Sequence, residues 1–253
     1  MKSNQSITVL LLFVFLSTMA WAQSDRYQMY VVHEDRVKAD MLEKHKQLDK
    51  DILKAAKDHK MKDMSWLTFV GENNRFMYLT PIKNIADLDK NPFEELKNSM
   101  GEEAYGKLFE SYGETFTEHG DYVIRLDKEL SYMPEGITQA PESQNYRELV
   151  YYHIPPGKWE KAEELAMAVK ELYTSKDAKL YYRVYKSGFG TMGSYFLVAV
   201  AAENPEALEK LRTETQQLIG EEGKSIFDKI EKTISKKETV KGHVSPELSY
   251  MNK

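Results

Sequence analysis

The chain has 253 residues, of which 42% are hydrophobic and 30% charged, and its formal net charge is −5. This is a globular composition that leaves room for two modest domains. Charges of both signs are intermixed with a small acidic excess, which argues against binding to nucleic acid or to an anionic membrane. Cysteine is absent, so packing and not disulfide bonding must hold the fold together.

The amino terminus has the pattern of a secretory signal peptide. Lys2 supplies a positive start, residues 7–16 are almost wholly apolar, and Ala20-Trp21-Ala22 offers a small-x-small cleavage site. The apolar run is too short to span a bilayer comfortably, and no basic flank follows it. We therefore expect residues 1–22 to be removed and the protein to be periplasmic or extracellular, without a membrane attachment. Loss of Lys2 gives a mature charge of 34 − 40 = −6.

Residues 27–133 predict an alternation of strands and helices. Residues 28–33 read as a strand, and an apolar stripe with a spacing close to 3.5 predicts a helix over 37–59. Residues 65–70 and 75–79 flank a turn and predict a hairpin. Asn84 and Asn91 each open a short helix, a longer helix is predicted over 102–126, and 129–133 form a final strand.

The pattern begins again after a stretch without periodicity at 134–146, which we interpret as a linker. The second half, 147–253, has predicted strands at 149–153, 180–185 and 195–200. One helix passes through Trp159 and Leu172, and another is capped by Asn204. The last strand is predicted at 247–251.

One short sequence motif, which we call the repeated phrase, occurs once in each half. Gly101-Glu102-Glu103 runs on to Glu129-Leu130-Ser131-Tyr132-Met133, and Gly220-Glu221-Glu222 runs on to Glu247-Leu248-Ser249-Tyr250-Met251. A match of this length favours a tandem duplication. The paired acids sit where a helix dipole favours negative charge, so we interpret them as helix starts and not as catalysts.

The order strand, helix, strand, strand, helix, strand in each half is typical of a ferredoxin-like α+β unit. The strands are apolar on both faces, so the sheet face that does not pack against helices must be buried by another part of the protein. We expect the two ferredoxin-like repeats, 27–133 and 147–253, to pack sheet to sheet as an intramolecular pseudo-dimeric barrel of eight strands.

This duplicated strand and helix order resembles the dimeric α+β barrel superfamily. The superfamily includes antibiotic-biosynthesis-monooxygenase-like proteins, stress-responsive barrel proteins and chlorite dismutase-like haem proteins. The resemblance covers nearly all of the mature chain and implies an architecture. No catalytic motif of any member is matched, so the resemblance implies an activity only as an alternative.

Two histidines are candidate ligand-binding residues. His33 and His153 end the first predicted strand of each half, at an offset of 120, and could meet near a cavity mouth. Imidazole titrates near neutrality and can bind metal or carry protons. The alternative is a strand-end histidine bonded to a nearby carbonyl. Because no third or fourth ligand stands at a recognisable spacing, we predict no metal site.

Aromatic residues around an arginine give the other candidates. Alternation places Tyr181, Arg183 and Tyr185 on one strand face, and Tyr151 lies on the preceding strand of the same half. Such rings around a cation could line a pocket for a planar or acidic ligand. The alternative is that they only fill the faces of the sheet.

Two further patterns favour ordinary structure. Residues 188–193 match the G-x-G-x-x-G pattern, but a strand follows where a dinucleotide site needs a helix, so we predict a hairpin loop. His45 lies on the apolar stripe of the first helix and aligns with Leu165, which favours a buried packing role.

These observations predict an exported soluble protein that binds a small apolar or aromatic ligand between its two halves. No cofactor is predicted. One alternative is a cofactor-free oxygenase or isomerase, or a haem-binding enzyme, as the superfamily resemblance allows. The other is a non-catalytic scaffold that binds proteins through an edge or a helix face. The sequence does not decide whether the protein is an enzyme.

Overall fold

The computed structural model describes residues 26–251, so the predicted signal peptide lies outside the described residues. The chain is an α+β fold in which eight antiparallel strands form a closed barrel with five α-helices outside it. The strands are β1 (Tyr27–Val37), β2 (Leu67–Gly71), β3 (Arg75–Ile82), β4 (Phe116–Tyr132), β5 (Tyr146–Ile154), β6 (Tyr182–Ser187), β7 (Ser194–Ala202) and β8 (Lys236–Val244). The helices are α1 (Leu42–Asp58), α2 (Glu94–Met100), α3 (Glu102–Phe109), α4 (Trp159–Ser175) and α5 (Pro205–Thr233). Residues 188–193 form the β6–β7 hairpin loop, as predicted.

The strand order around the barrel is β1-β3-β2-β8-β5-β7-β6-β4, and β4 returns to pair with β1. The first half supplies β4, β1, β3 and β2, and the second half supplies β8, β5, β7 and β6. The halves meet along two hydrogen-bonded seams, β2 with β8 and β4 with β6.

The predicted fold, two tandem ferredoxin-like repeats packed sheet to sheet, is therefore wrong. The strands make one continuous sheet that closes on itself, and the two halves are joined edge to edge by backbone hydrogen bonds. Closure pairs the N–H and C=O groups that two separate sheets would leave at their edges. The strands are apolar on both faces because one face lines the barrel interior and the other lies beneath helices.

The predicted helix over 102–126 is also wrong. Helix α3 ends at Phe109, a single 3-10 turn follows at Tyr112–Glu114, and β4 begins at Phe116. Gly113 lies in that turn and Gly120 in the strand. Pairing of β4 with β1 along nearly the whole length of β1 overrides the helical spacing of the apolar residues.

The second half ends differently from the prediction too. The last strand is β8, while 247–251 form a turn with one isolated bridge from Trp66 to Tyr250. Gly242 lies inside β8, opposite Gly71 of β2. Helix α5 is capped as predicted, since the Asn204 side chain accepts a hydrogen bond from the N–H of Ala207 at 2.8 Å.

Side chains fill the middle of the barrel. Strand alternation turns every second residue inward, and these form one buried cluster: Tyr30, Val32, Phe69, Met77, Ile124, Leu126, Leu149, Tyr151, Tyr185, Tyr195, Leu197, Ala199 and Val240. A second cluster lies outside the barrel, between α4, α5 and the strands of the second half. A third lies beneath α1, α2 and α3.

Residues 134–145 run past one end of the barrel and contact its interior. The carbonyl of Thr138 accepts a hydrogen bond from Arg183 at 2.6 Å, and the Gln139 amide donates to the Tyr30 hydroxyl at 3.1 Å. Ile137 packs against the interior cluster. Among the described residues, no helix has both the length and the apolar character needed to cross a membrane.

Candidate functional site

A large cavity lies outside the barrel, in the second half. We call it the α4–α5 cavity, because it is enclosed by α4, α5 and the outer face of β5, β6, β7 and β8. Its volume is about 910 Å³. Its apolar lining consists of Val150, Ile154, Ala162, Leu165, Ala166, Val169, Leu180, Val184, Phe196, Val198, Val200, Ile219, Phe227, Ile230 and Ile234. A cavity with this size and lining can enclose a small organic molecule.

Helix α5 covers the cavity with a break in its backbone. Gly220 has φ 54° and ψ −144°, a conformation that glycine adopts without the steric cost a side chain would add. Gly101 of the first copy of the phrase also has a positive φ, 87°, and separates α2 from α3. As predicted, Glu102 and Glu103 form the first turn of a helix, while Glu221 follows the break in α5.

Three tyrosines place their rings on the cavity: Tyr152, Tyr173 and Tyr182. The hydroxyl of Tyr182 is buried and has no hydrogen-bond partner in the described part of the chain. Burial raises the pKa of Tyr182 and raises that of Tyr173 to about 12. These phenols are therefore neutral at physiological pH and can offer hydrogen bonds to a bound molecule.

Two basic side chains at the edge of the cavity, Arg212 and Lys237, are already paired. Arg212 donates a hydrogen bond to Glu148, which also accepts one from the Tyr146 hydroxyl at 3.0 Å. Burial alone would raise the pKa of Glu148, but these donors hold it below its usual value. Lys237 contacts Glu231 at 3.0 Å. A ligand would thus meet phenols and hydrocarbon, with no unpaired ion at these positions to neutralise a charge of its own.

A smaller cavity of about 400 Å³ opens at one end of the barrel, which we call the barrel mouth. Glu34 lines it and accepts hydrogen bonds from Arg75 at 2.7 Å and from the Tyr122 hydroxyl at 3.0 Å. Arg75 also donates to the Tyr151 hydroxyl at 3.3 Å, and its guanidinium lies 5.5 Å from the centre of that ring. Glu34, Arg75 and the two tyrosine hydroxyls therefore form one hydrogen-bonded group in the mouth.

His153 also lines the barrel mouth. Its Nε2 atom is buried, makes no hydrogen bond among the described residues, and lies 3.7 Å from Glu238 Oε2. The Tyr195 ring packs against it at 5.8 Å between ring centres.

The two predicted histidines do not meet. On β1 the inward residues are Tyr30, Val32 and Glu34, so His33 points outward from the barrel wall. On β5 the inward residues include Tyr151 and His153. The offset that aligns the two strands by face is therefore an odd number, whereas the sequence alignment used 120, and a shift of one residue reverses the face.

The structure separates the other predicted site residues as well. Tyr151 lines the barrel mouth with His153, whereas Arg183 and Tyr185 point into the barrel near residues 138 and 139, where Tyr185 bonds to the Gln139 side chain. Tyr181 precedes β6 and packs against the outer cluster of the second half. Alternation correctly placed Arg183 and Tyr185 on one face, but it assigned Tyr181 to a strand that begins one residue later.

His33 belongs to a polar group on the outer face of β1 and β4. Its Nδ1 lies 2.9 Å from Asp121 Oδ1, and its Nε2 lies 3.2 Å from Asp35 Oδ1. Burial alone would lower the pKa of His33, but the two carboxylates raise it to about 10. Asp35 and Asp121 were not among the predicted site residues. The His-x-Asp spacing at 33 and 35 was the available signal, because residues two apart on a strand share a face.

A buried hydrogen-bond chain continues from this group beneath α1. His45 Nδ1 lies 2.7 Å from the Thr115 hydroxyl, and its Nε2 lies 2.9 Å from the Tyr78 hydroxyl. The Tyr78 and Tyr112 hydroxyls lie 2.9 and 2.6 Å from the carboxylate of Asp49. As predicted, His45 is a buried residue with satisfied hydrogen bonds, and burial lowers its pKa.

This hydrogen-bond chain must hold one proton more than a neutral His45 and an ionised Asp49 would supply. The Thr115 hydroxyl donates to the carbonyl of Tyr112, so it must accept from His45 Nδ1–H. Neutral His45 then accepts the Tyr78 proton at Nε2, and the Tyr78–Asp49 contact needs a proton on Asp49. Burial accordingly raises the pKa of Asp49 to about 7.

Comparison with known proteins shows the class of fold. No family model and no curated protein matches the chain. Solved structures do match it, and they include monooxygenase-like and chlorite dismutase proteins of the α+β barrel type. The coarse expectation of an α+β barrel is therefore confirmed.

Three of these structures illustrate the likeness. An anthrone oxidase-like protein is 15% identical, with a TM-score of 0.58 over 86% of this chain and 91% of its own. A protein of Lactobacillus acidophilus NCFM described as a monooxygenase is 10% identical, with a TM-score of 0.52 over 89% and 99%. A mutant chlorite dismutase of Candidatus Nitrospira defluvii is 12% identical, with a TM-score of 0.52 over 87% and 92%. At these identities the likeness shows the fold alone.

Proposed function

We propose that the protein binds a small, neutral, largely apolar molecule, an aromatic compound in the first instance, in the α4–α5 cavity. The observation that carries this proposal is the cavity of about 910 Å³ with its hydrocarbon lining and three phenols. The site lies on the outside of the second half and not between the halves, because side chains fill the middle of the barrel.

The charges around the cavity favour a neutral ligand. Arg212 is neutralised by Glu148 and Lys237 by Glu231, so a bound carboxylate would have to displace an existing ion pair. The hydroxyl of Tyr182 is buried without a partner among the described residues and can bond to one polar group of the ligand. A buried hydroxyl without a hydrogen bond is costly, so a ligand that completes it gains affinity and selectivity.

Titration with N-phenyl-1-naphthylamine, a neutral aromatic fluorophore, tests this proposal. We expect a saturable rise in fluorescence with one probe per chain. Val198→Trp places an indole in the cavity and should weaken binding at least about tenfold, since the ring occupies the space that the ligand needs. Ile85→Trp adds the same ring at a position that is 46% exposed in the first half, and it should bind as the wild type does. Non-saturable binding, or equal binding by both variants, would reject the site.

A second candidate function is oxidation of such a ligand by molecular oxygen without a cofactor. The shared fold of the anthrone oxidase-like protein and the unpartnered Tyr182 hydroxyl in the cavity favour it. In the balanced reaction an activated methylene and O₂ give a ketone and water: two C–H bonds break, a C=O bond forms, and O₂ accepts four electrons. Tyr182 would hold the carbonyl or phenol oxygen of the substrate by a hydrogen bond.

Oxygen uptake with anthrone as substrate tests this second function. We expect one O₂ consumed for each anthraquinone formed, and a slower turnover for Tyr182→Phe, which retains the ring but lacks the hydroxyl. A rate for wild type equal to that of buffer would reject the oxidase and leave the binding proposal untouched.

The fold is similar to that of chlorite dismutase, so haem is one ligand to consider. The residues that line the α4–α5 cavity are not suited to binding its iron. None of the described residues that line the cavity is a histidine or a cysteine, the usual axial ligands. Tyrosine can ligate haem as a phenolate, but burial raises the pKa of Tyr182 and opposes that form. We therefore assign no step to haem.

We also propose that the protein acts outside the cytoplasm, after cleavage before Gln23. The motivation is the positive start, apolar core and Ala20-Trp21-Ala22 site of the first 22 residues. Amino-terminal sequencing of the protein from the periplasmic or extracellular fraction of its host should begin at Gln23. Recovery of the chain with its amino terminus intact in the cytoplasm would contradict the proposal.

A further inference from the structure

Four titratable side chains form a two-by-two group on the outer face of the barrel, which we call the β1–β4 grid. His33 and Asp35 stand on β1, and Asp121 and His119 stand directly opposite them on β4. Histidine faces aspartate across the strands and precedes aspartate by two residues along each strand, so each imidazole has carboxylates as neighbours. The grid lies at the end of the barrel away from residues 134–145, and its β4 residues, His119 and Asp121, also border the barrel mouth.

Three atoms of the grid lie close enough together for one metal ion to reach them after a small side-chain adjustment. One ligating atom each from His33, Asp35 and His119 lies within 4.8 Å of the others. The Nε2 atom of His33 is 3.2 Å from Asp35 Oδ1. Ligands about 2.0–2.1 Å from a tetrahedral zinc ion stand roughly 3.3 Å apart, so this pair is already in place. His119 is exposed, and rotation of its side chain can close the remaining distance.

The ligand atoms are oriented by neighbours that do not themselves bind the metal. Asp121 bonds to Nδ1 of His33 at 2.9 Å, which directs Nε2 toward Asp35. A carboxylate on the far nitrogen is the usual support of a metal-binding histidine. On the other side, Asp35 Oδ2 lies 3.7 Å from His45 Nε2.

Asp35 is a buried carboxylate whose Oδ1 has only an ion-pair contact, with Nε2 of His33 at 3.2 Å. The residue is only 1% exposed, and its Oδ1 atom makes no hydrogen bond among the described residues. A buried carboxylate oxygen without a donor is costly in free energy unless a cation or a donor completes it. A metal ion that bound both atoms would replace this ion-pair contact with two coordinate bonds.

We propose that the β1–β4 grid is a binding site for a divalent transition-metal ion, with Zn²⁺ as the reference ion. His33 Nε2, Asp35 Oδ1 and a ring nitrogen of His119 are the ligands, and water takes the fourth position. Two imidazoles and a carboxylate suit zinc and its neighbours in the first row, whereas calcium and magnesium prefer oxygen ligands alone. The site is separate from the α4–α5 cavity and does not depend on its ligand.

Isothermal titration of chelator-treated protein with ZnCl₂ tests the proposal. We expect one ion per chain. His119→Ala should weaken binding at least about tenfold, and because the residue is exposed this variant should fold normally. Asp121→Asn should weaken binding about 10- to 100-fold without removing a ligand, as is typical of supporting carboxylates. His59→Ala removes an exposed histidine at the end of α1 and should bind as the wild type does.

A melting experiment separates the grid from other sites. Zn²⁺ should raise the Tm of the wild type and of His59→Ala, and leave His119→Ala and His33→Gln unshifted, because only a bound native state is stabilised. With Cu²⁺, the electron paramagnetic resonance spectrum should show two nitrogen ligands in the wild type and one in His119→Ala. No saturable binding by the wild type, or unchanged affinity in His119→Ala and His33→Gln, would overturn the site.

Discussion

The hydroxyl of Ser249 accepts a hydrogen bond from the backbone N–H of Thr68 at 2.9 Å and donates one to the carbonyl of Ser245 at 2.7 Å. Ser131 does the same at the other seam, where it accepts from Val184 N–H at 2.9 Å and donates to the carbonyl of Asp127 at 2.7 Å. Both serines come from the Leu-Ser-Tyr of the repeated phrase. The phrase thus stabilises the two seams through which the halves join.

Replacing either serine should weaken the corresponding seam. In Ser249→Ala the N–H of Thr68 loses its acceptor in a place where Thr68 is fully buried, and we expect a loss of about 1–3 kcal/mol in the free energy of unfolding. Ser131→Ala should cost a similar amount through Val184. Urea denaturation measures both. Ser194→Ala at an exposed position should change the free energy by less than about 0.5 kcal/mol. A serine variant as stable as this control would show that the seam does not need the hydroxyl.

The β2–β8 seam also requires glycine at position 242. A Cβ atom there would stand 2.3 Å from the carbonyl oxygen of Val70 and 2.7 Å from the Cα of Gly71. Because both are backbone atoms, this steric clash could be relieved only by moving the strand. We expect Gly242→Ala to destabilise the protein by several kcal/mol, on the order of 3. Gly106→Ala, in α3 with open space around it, should instead stabilise by about 0.5–1 kcal/mol. Thermal melts should show the opposite signs; equal shifts would refute the steric argument.

The buried hydrogen-bond chain that includes Asp49 should make the free energy of unfolding depend on pH. The pKa of Asp49 is raised from 3.8 to about 7, first by burial, so the native state holds a proton that the unfolded state has released between these values. Stability therefore falls as the pH rises from about 4 to about 7, by up to roughly 4 kcal/mol, and is level above that range. Asp49→Asn should remove this dependence, whereas Asp51→Asn, exposed on the same helix, should retain it.

Denaturant midpoints measured from pH 4 to pH 8 distinguish the two variants. The difference in free energy of unfolding between the wild type and Asp49→Asn should change steadily across that range in favour of the variant. A difference that is constant with pH would mean that Asp49 is ionised throughout, and that the extra proton of the chain resides on His45.

Lys186 and Asp127 form a buried ion pair that joins β6 to β4. Their side chains are 3% and 0% exposed, and their charged atoms lie 2.8 Å apart. Burial alone would raise the pKa of Asp127, but Arg26 and Lys186 hold it below its usual value. We expect Lys186→Met to cost up to about 3–5 kcal/mol, since Asp127 keeps its charge with fewer partners.

The pH dependence of this loss provides a check. Because the pKa of Asp127 is depressed in the folded protein, its contribution is present above the unfolded value near 4 and is lost as the pH falls through the folded value. The deficit of Lys186→Met should therefore be full at pH 7 and smaller in acid. The double variant with Asp127→Asn should recover part of it. A deficit that the second substitution leaves unchanged would assign the loss to packing of the lysine stem.

Local patterns predicted most of the elements but failed where pairing decided them. The alternation and caps around β1, α1, β3 and Asn204 are properties of short stretches, and these predictions are confirmed. Residues 116–126 carry apolar groups at helical spacing, yet they form β4 because β1 offers them a partner along its whole length. Helical and extended conformations of the same residues differ by less free energy than such pairing provides.

The candidate site was harder to predict because it depends on register. An alignment offset of 120 made His33 and His153 equivalents, whereas in the structure His33 points outward from the barrel wall and His153 points inward. Likewise, His-x-Asp shows only that His33 and Asp35 share a face. That His119 stands opposite Asp35 follows from the pairing of β1 with β4, more than 80 residues apart in the chain.

Backbone preferences and the periodicity of hydrophobic residues are properties of stretches of only a few residues. They were therefore enough to predict, from the residues alone, an α+β protein, the majority of its helices and strands, and two of the three places where asparagine was expected to begin a helix, Asn84 and Asn204 but not Asn91. Three other features could not be reached in this way: the single closed sheet shared by both halves, the cavity beneath α5, and the histidine–aspartate grid on β1 and β4. Each depends on which distant strands pair, and in which register, and closure of the whole barrel settles both.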